Sequence, residues 1–477
     1  MASKMWQRLT HYKLAVVVAI AILTRLATLL MLPDVFAYSE PGGEVHGSVA
    51  YDEYARNLLA TGVYGHSPGV PDAGLPPLYS VILTAIYGVF GRSYLAVALW
   101  HIVFDALSIA LLTAICRRLT FTPPRSPRRV GGRQNAPLPA NSWGETVGAL
   151  AGLFFALYPY LIFQNLALND TALWILLLHT FVWLLVLLGE RTQWDKGALF
   201  LALAAGIVLG LSALARALLP ALALLALPCL ALRLGWRGTL LRMLPVAIMS
   251  LLVVLPWLLR GAAIYGGFVP IALNSGENIY QGNHPYTTAI LRAGYDAQWL
   301  PAPQAAPPRD QPLARNAYLS QAGWAFLREH PEQVPQLLLT KLLVQWNPQV
   351  TPLMNLRQGE RLTIDADGNV LIVTDGESHI GVTRANAAYQ DDGLFAVLGR
   401  RLHLFYFGGL WLLAILGAWL ARRDWRSLSL LYAVQLSQTA IYLLFHPSTR
   451  YRSPTDPLLF VFSALAVLHF AARWREN

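Results

Sequence analysis

The chain has 477 residues, of which 55% are hydrophobic and only 13% charged. Soluble globular proteins carry about 25% charged residues, so this composition excludes an ordinary water-soluble domain. The net charge of +10 would suggest nucleic acid in a soluble protein, but here the arginines sit in short loops between apolar runs.

In chain order, the first apolar run is Leu14 to Leu32, long enough at 1.5 Å per residue to cross most of a roughly 30 Å hydrocarbon core. It follows a basic start, as a signal peptide would. It is too long for such a segment's apolar region and lacks a clear small-x-small cleavage site, so we read it as a retained helix. A loop at 34–93 follows, rich in Gly, Pro, Tyr and acids. Within it Leu78 to Phe90 is apolar but short. If it crossed, the arginine-rich loop after Leu119 would lie outside, against the positive-inside rule, so an interfacial or re-entrant helix is expected.

Further spans are expected near 94–117, 146–167, 171–190, 197–214, 218–233 and 243–261. The segment 262–402 has mixed composition and is too long for an unstructured connection. Arg361 to Thr374 alternates about an Asp-Gly-Asn turn and predicts a β-hairpin. Val334 to Trp346, with Pro335 and Lys341, reads as a second interfacial helix. Spans near 403–421, 427–446 and 455–472 end the chain.

The expected fold is therefore an all-α polytopic membrane protein of about ten transmembrane helices, with interfacial helices and a small mixed α/β non-cytoplasmic cap. Its parts are a membrane module at 1–261, the cap at 262–402 and C-terminal helices at 403–477. The clusters Arg117/Arg118/Arg125/Arg128/Arg129/Arg133, Arg233/Arg237/Arg242 and Arg422/Arg423/Arg426 mark the cytoplasmic side, where both termini also fall. Cys116 and Cys229 offer neither a disulfide framework nor a CxxC metal site.

Several polar residues stand out against this apolar background. The first loop holds Glu40, Glu44, Asp52, Glu53 and Asp72. A carboxylate at a membrane surface can take a proton from a hydroxyl, although loop acids are often merely solvated. Asp170 opens a span directly after Gln164-Asn165-Leu-Ala-Leu-Asn169, and Asn169 or Asp170 is a natural N-cap there. Arg25 lies inside the first span, Arg216 between two spans and Arg260 near the end of another. Ionisable residues at such depths are functional candidates by default. Arg450 and Arg452 bracket Tyr451 in a short loop. That pair calls either for an anionic partner, since arginine forks suit phosphate, or for lipid headgroups reached by snorkelling. His101 and Asp105 share a helix face, as a proton relay or as an internally satisfied pair.

In sequence order the chain then resembles bacterial polyprenyl-phosphate-sugar-dependent glycosyltransferases of the GT-C superfamily, relatives of protein O-mannosyltransferases and of the lipid A aminoarabinose transferase. The resemblance is carried by Tyr51-Asp-Glu-Tyr-Ala-Arg-Asn-Leu-Leu-Ala-Thr-Gly62, by Pro76-Pro-Leu-Tyr79 and by Gly210-Leu-Ser-Ala-Leu-Ala-Arg216. It continues through Pro256-Trp-Leu-Leu-Arg260, Gly267-Phe-Val-Pro270, Asn274-Ser-Gly276, Gly282-Asn-His-Pro285, Glu329-His-Pro331 and Arg450-Tyr-Arg-Ser-Pro454. One departure is plain. Where the family has its first-loop acid this chain has Gly47, leaving Glu44 upstream or Asp52 beside Tyr51 as the base.

The resemblance implies transfer of a sugar from a polyprenyl-phosphate carrier to a glycan, lipid or protein acceptor, with inversion, on the non-cytoplasmic face of a bacterial inner membrane. Asp170 matches the family's second acid. Arg216, Arg260, Arg450 and Arg452 are the implied phosphate-binding residues, and Tyr51, Tyr79, Asn274, Asn283 and Tyr451 the implied substrate-binding ones. No cofactor is indicated, a divalent metal stays open, and nucleic acid is not an expected partner. A transporter or flippase, or a non-catalytic assembly protein of this fold, remains as an alternative. A cysteine placed at Arg128 should be shielded from impermeant thiol reagents in intact cells, and one at Asp367 should be labelled. Labelling at position 128 would overturn the span assignment.

Overall fold

Apolar run lengths and proline positions set most helix limits in the computed structural model, which describes residues 2–31, 48–122, 140–354, 356, 360–365, 369–374, 377–380 and 394–474. Glu40, Glu44, Gly47, Arg125, Arg128, Arg129 and Arg133 lie outside the described residues.

The helices of the first half are α1 (Ala2–Met31), α2 (Ser48–Thr61), α3 (Pro77–Phe90), α4 (Tyr94–Arg118), α5 (Ala140–Ala156), α6 (Pro159–Leu166), α7 (Thr171–Glu190), α8 (Lys196–Ala215) and α9 (Leu219–Tyr265). Proline occupies the first turn of α3, α6 and α9, where its missing N–H costs nothing. Ser93 and Asp195 cap α4 and α8 by accepting from Ala96 N at 3.3 Å and Ala198 N at 2.7 Å.

The 262–402 region supplies α10 (Ser275–Gly282), α11 (Thr287–Arg292), α12 (Pro312–Glu329) and α13 (Val334–Gln345). It also holds the strands β1 (Arg361–Ile364), β2 (Val370–Thr374) and β3 (Glu377–Ile380). The chain ends with α14 (Leu394–Leu420), α15 (Ser429–Leu444), the single turn α16 (Thr449–Arg452) and α17 (Asp456–Trp474).

Among the described residues seven helices are long and apolar enough to cross a membrane, and α5 with α6, bent by 64°, makes an eighth if the pair is one span. The chain is an integral membrane protein. All ten expected spans coincide with helices, but the count changes. The spans near 218–233 and 243–261 are two arms of α9, a 47-residue element kinked at Gly235 (φ 67°, ψ 166°). The span near 427–446 is the 16-residue α15, shorter than a crossing helix. The charged patch that separates the two arms of α9 in sequence forms no loop. Gly235 turns the chain in one residue, a positive φ that only glycine adopts freely, and Arg242 ties the second arm to the Arg191 carbonyl at 2.6 Å.

The predicted hairpin forms with Leu362 opposite Ile372, and β3 adds a third antiparallel strand in the order β1-β2-β3. Its inward residues Leu362, Val370 and Ile372 pack with Ile290, Tyr295 and Leu319 of the same region. The main core lies among the long helices. A second core joins α2, α3 and α4 to Ala215, and Tyr51 and Tyr79 belong to it.

His101 and Asp105 are both buried on one face of α4, but they do not bond each other. Asn165 stands between them, donating to Asp105 Oδ1 at 2.7 Å while its carbonyl accepts from His101 Nδ1 at 2.8 Å. A carbonyl can only accept, so Nδ1 carries the proton and Nε2 faces the Tyr79 hydroxyl at 3.1 Å. Arg25 closes the network by an ion pair with Asp105 and a bond to the Ala156 carbonyl at 3.0 Å. Together these contacts tie α1, α3, α4, α5 and α6. Asp105→Ala leaves the Arg25 charge buried and should cost about 3–5 kcal/mol. The double change Arg25→Met with Asp105→Leu should recover most of that loss in thermal unfolding in detergent. A double variant no more stable than Asp105→Ala would refute the ion-pair account.

Candidate functional site

Segments distant in sequence converge around a cavity of about 790 Å³. They are the start of α2, the α6–α7 hinge, the break between α8 and α9, residues 268–281, and the stretch from Tyr442 to Tyr451.

At the α6–α7 hinge, capping falls to Asn169. Its Oδ1 accepts from Thr171 N at 2.9 Å and its Nδ2 donates to the Gln164 carbonyl at 2.9 Å. Asp170 makes no capping bond. Its carboxylate instead meets Arg216 in a fork, with Nε to Oδ2 and Nη2 to Oδ1 both at 2.5 Å. Arg216 Nη2 also donates to Thr171 Oγ1 at 3.1 Å, and the guanidinium carbon lies 6.0 Å from the Trp174 ring centre. Arg216 can reach there because it leaves the helix in extended geometry, φ −148° and ψ 123°, at the end of α8.

The decisive feature is what remains unused. Arg216 Nη1 and Arg450 Nε are buried and have no partner among the described residues, and both residues line the cavity. Burial lowers the Arg216 proton affinity, but the Asp170 charge and hydrogen bonds outweigh it and hold the group above its usual range. Burial, reinforced by the Asp170 charge, pushes the Tyr51 phenol well above its ordinary range, so Tyr51 serves as a neutral hydroxyl. Val254, Leu258, Phe268 and Ile271 supply apolar wall. Tyr442 and Tyr451 stack at 4.9 Å with 12° between their planes, and His446 Nδ1 sits 3.0 Å from Asp296 Oδ1.

The glycine spacing of the 276–282 stretch has a direct cause. A Cβ on Gly276 would come within 2.1 Å of the Asn316 carbonyl oxygen, and one on Gly282 within 2.2 Å of the Phe445 oxygen. Only glycine lets α10 seat this closely against α12 and the end of α15.

Of the residues singled out in the sequence, Tyr51, Asp170, Arg216, Asn274, Arg450 and Tyr451 line the cavity. Glu44 lies outside the described residues, and the others stand elsewhere. Asp52 is buried and fully engaged, by Arg56 at 2.9 Å, Tyr87 at 2.9 Å and Arg92 at 3.0 and 2.8 Å. Arg260 donates to the Tyr64 carbonyl at 2.6 Å and the Asp72 carbonyl at 2.8 Å, holding the first loop against α9. Arg452 pairs with Asp456 at 3.4 Å, donates to the Asn347 carbonyl at 2.8 Å, and lies 3.7 Å from the Phe407 ring centre. Tyr79 serves the network around His101. Asn283 binds the Leu444 carbonyl at 2.8 Å and accepts from Lys341 at 3.0 Å.

Sequence reasoning passed over Glu277, Asn278, Gln281, Gln298 and Tyr442, which also line the cavity. Glu277 and Asn278 directly follow a recognised motif, and that adjacency was the available signal. Among the described residues no three His, Cys, Asp or Glu side chains form a metal-ligand group, and both Asp170 oxygens are committed to Arg216. The groups present fit an anion better than a cation.

No protein-family model matches the chain, and no curated protein does. Solved structures do. The Archaeoglobus fulgidus oligosaccharyltransferase, in a complex with Zn and sulfate, superposes with TM-score 0.52 at 14% identity over 97% of this chain and 50% of its own. Archaeal oligosaccharyltransferase AglB from the same organism, with an inhibitory peptide and a dolichol-phosphate, gives TM-score 0.51 at 12% identity over 98% and 51%. ArnT from Cupriavidus metallidurans bound to undecaprenyl phosphate aligns more loosely, with TM-score 0.40 at 14% identity over 96% and 77%. The chain thus spans about half the length of the oligosaccharyltransferases. It shares the fold of these oligosaccharyltransferases over nearly its whole length.

Lys341 of α13 supports the cavity from behind, donating to the Leu443 carbonyl at 2.8 Å just before Phe445 and His446. Burial lowers its pKa from 10.5 to about 7. The unfolded chain therefore binds the extra proton between those values, and stability rises with pH across that window and levels off below it. The Tm difference between wild type and Lys341→Met should move in favour of wild type from pH 7 to pH 10. A pH-independent difference would refute the lowering of the Lys341 pKa by burial.

Proposed function

We propose that this chain is a membrane glycosyltransferase that moves a sugar from a polyprenyl-phosphate carrier to an acceptor hydroxyl. The observation that carries the reading is the pair of unpartnered buried guanidinium N–H groups, Arg216 Nη1 and Arg450 Nε, in a cavity with an apolar wall. A lipid phosphate needs both features at once. Its tail takes apolar surface and its headgroup takes fixed donors. An oligosaccharyltransferase of the same fold is known with a dolichol-phosphate, which supports a carrier of this kind.

In the proposed reaction the acceptor oxygen attacks the anomeric carbon, the bond from that carbon to the phosphate oxygen breaks, and configuration inverts. The lipid phosphate leaves with the electron pair, and its growing charge is met by donors already in place. The acceptor proton passes to a first-loop carboxylate. Asp52 is enclosed by Arg56, Tyr87 and Arg92, so we assign that role to Glu44. Asp170 fixes Arg216 and contributes negative charge near the reacting hydroxyl. The reading places the site on the non-cytoplasmic face of a bacterial inner membrane, under a cap formed by 262–402.

Removing one preorganised donor for a developing oxyanion costs roughly 10²–10³ in rate. Arg216→Ala and Arg450→Ala should therefore slow transfer of labelled sugar by about 10² or more, and the Lys variants by about tenfold, since Lys keeps charge but loses the fork. Arg260→Lys and Arg452→Lys, whose groups hold carbonyls, should lower Tm more than turnover. Wild-type turnover in folded Arg216→Ala and Arg450→Ala proteins would sink the reading.

A further inference from the structure

Beside the large cavity opens a smaller cleft of about 280 Å³, and the two share Asn274 and Glu277 as walls. The cleft differs in chemistry from its neighbour. Its carboxylates, Asp72 and Glu277, are matched by two guanidinium groups, Arg309 and Arg315. Its formal charge is therefore balanced, and it has no call for an anion.

Much of its polar capacity is already used, which shows what is left for a ligand. Asp72 is saturated by the Tyr54 hydroxyl at 2.6 Å, His66 N at 2.7 Å and Gly74 N at 3.0 Å. Arg315 donates twice to one oxygen of Glu277, Oε1, at 3.2 and 3.0 Å, and once to the Pro307 carbonyl at 2.9 Å. Glu277 Oε2 has no partner among the described residues. Asn316 Oδ1 accepts from Gly276 N at 2.7 Å and Ser275 Oγ at 3.2 Å, which leaves its amide N–H groups to give. The Arg309 guanidinium also stands without a partner among the described residues, and Tyr265 contributes an aromatic ring to the wall. The unused groups thus include both donors and acceptors, in a cleft whose four charged side chains balance and which has one aromatic face.

A hydroxyl both donates and accepts, and a sugar ring carries several around an apolar face. The volume sits just under the roughly 300 Å³ where small-molecule pockets begin, enough for one ring and not for a long chain. We propose that this cleft holds the acceptor, that the acceptor presents a neutral hydroxylated ring there, and that Glu277 Oε2 accepts from one of its hydroxyls at the boundary with the donor cavity. The proposal rests on the transferase reading for the word acceptor, while ring binding itself does not depend on it.

The test uses the full chain in a sugar-free amine-oxide detergent with two separate probes. Methyl glycosides of glucose, mannose and galactose report on the cleft by saturation-transfer NMR, and undecaprenyl phosphate reports on the large cavity by thermal shift. Glu277→Gln keeps an oxygen for Arg315 but puts an N–H where Oε2 was, and Arg309→Trp fills the cleft from its exposed side. We expect a glycoside signal in wild type and a loss of about tenfold in affinity in both variants, the scale of one hydrogen bond to a charged group. Undecaprenyl phosphate should stabilise Arg309→Trp, a residue of the smaller cleft alone, as it does wild type, and Arg450→Ala should show the reverse pattern. No glycoside signal in wild type, or an equal one in both variants, overturns the proposal. Glycoside binding without any shift from undecaprenyl phosphate would leave the cleft standing and remove the donor reading instead.

Discussion

The site depends on one buried ion pair, Asp170 with Arg216. Both side chains are nearly out of solvent, at 1% and 11% exposure. Taking two charges out of water is costly, and only close, forked geometry with further hydrogen bonds offsets it. The fork is present at 2.5 Å on both arms, and Thr171 adds a third bond. It requires the chain to leave α8 at Arg216 and α7 to begin just after Asp170, so the helix limits and the ion pair determine each other. It also leaves Nη1 as the single arm of that guanidinium with nothing to bind among the described residues.

The other arginines make sense by the same count of donors. A guanidinium has five N–H groups and accepts nothing. Arg260 donates to the Tyr64 and Asp72 carbonyls, and Arg452 pairs with Asp456 and donates to the Gln345 and Asn347 carbonyls, its Nη2 being buried without a partner among the described residues. They act as fasteners. Arg260 holds the turn that carries Asp72, and Asp72 forms a wall of the smaller cleft. Arg25 does comparable work deeper in the bundle through Asp105 and the Ala156 carbonyl. A set of arginines that look alike in sequence therefore divides into groups that shape the cavity and groups that face it.

Short contacts across the 262–402 region complete the arrangement. Gly276 and Gly282 let α10 lie against the Asn316 and Phe445 backbone. Lys341 and Asn283 bind the last carbonyls of α15. These contacts bring Asn274 and Glu277 from one side and His446, Arg450 and Tyr451 from the other to a common opening. The two cavities meet there because α10 borders both.

Much of this was readable in the amino-acid order, for a physical reason. Membrane-crossing helices must satisfy their own backbone, so uninterrupted apolar length is nearly sufficient to find them, and each expected span coincides with a helix. Period-two alternation found the β1–β2 hairpin, and ordered motifs found the fold. Local pattern does not say where a long polar side chain places its hydrogen bonds. Asp52 and Asp170 are both acids beside a motif, yet one is enclosed by three neighbours from α2 and beyond, and the other faces a cavity. Arg450 and Arg452 are two residues apart, so the turn of α16 sends one into the cavity and the other into the Phe407 ring. His101 and Asp105 share a helix face, but Asn165 from α6 comes between them. The helices and their order follow from sequence alone. Which charges are engaged and which are left to act was decided mainly by partners tens to hundreds of residues away, such as Arg216 for Asp170 and Arg92 for Asp52, which only packing brings within hydrogen-bonding distance.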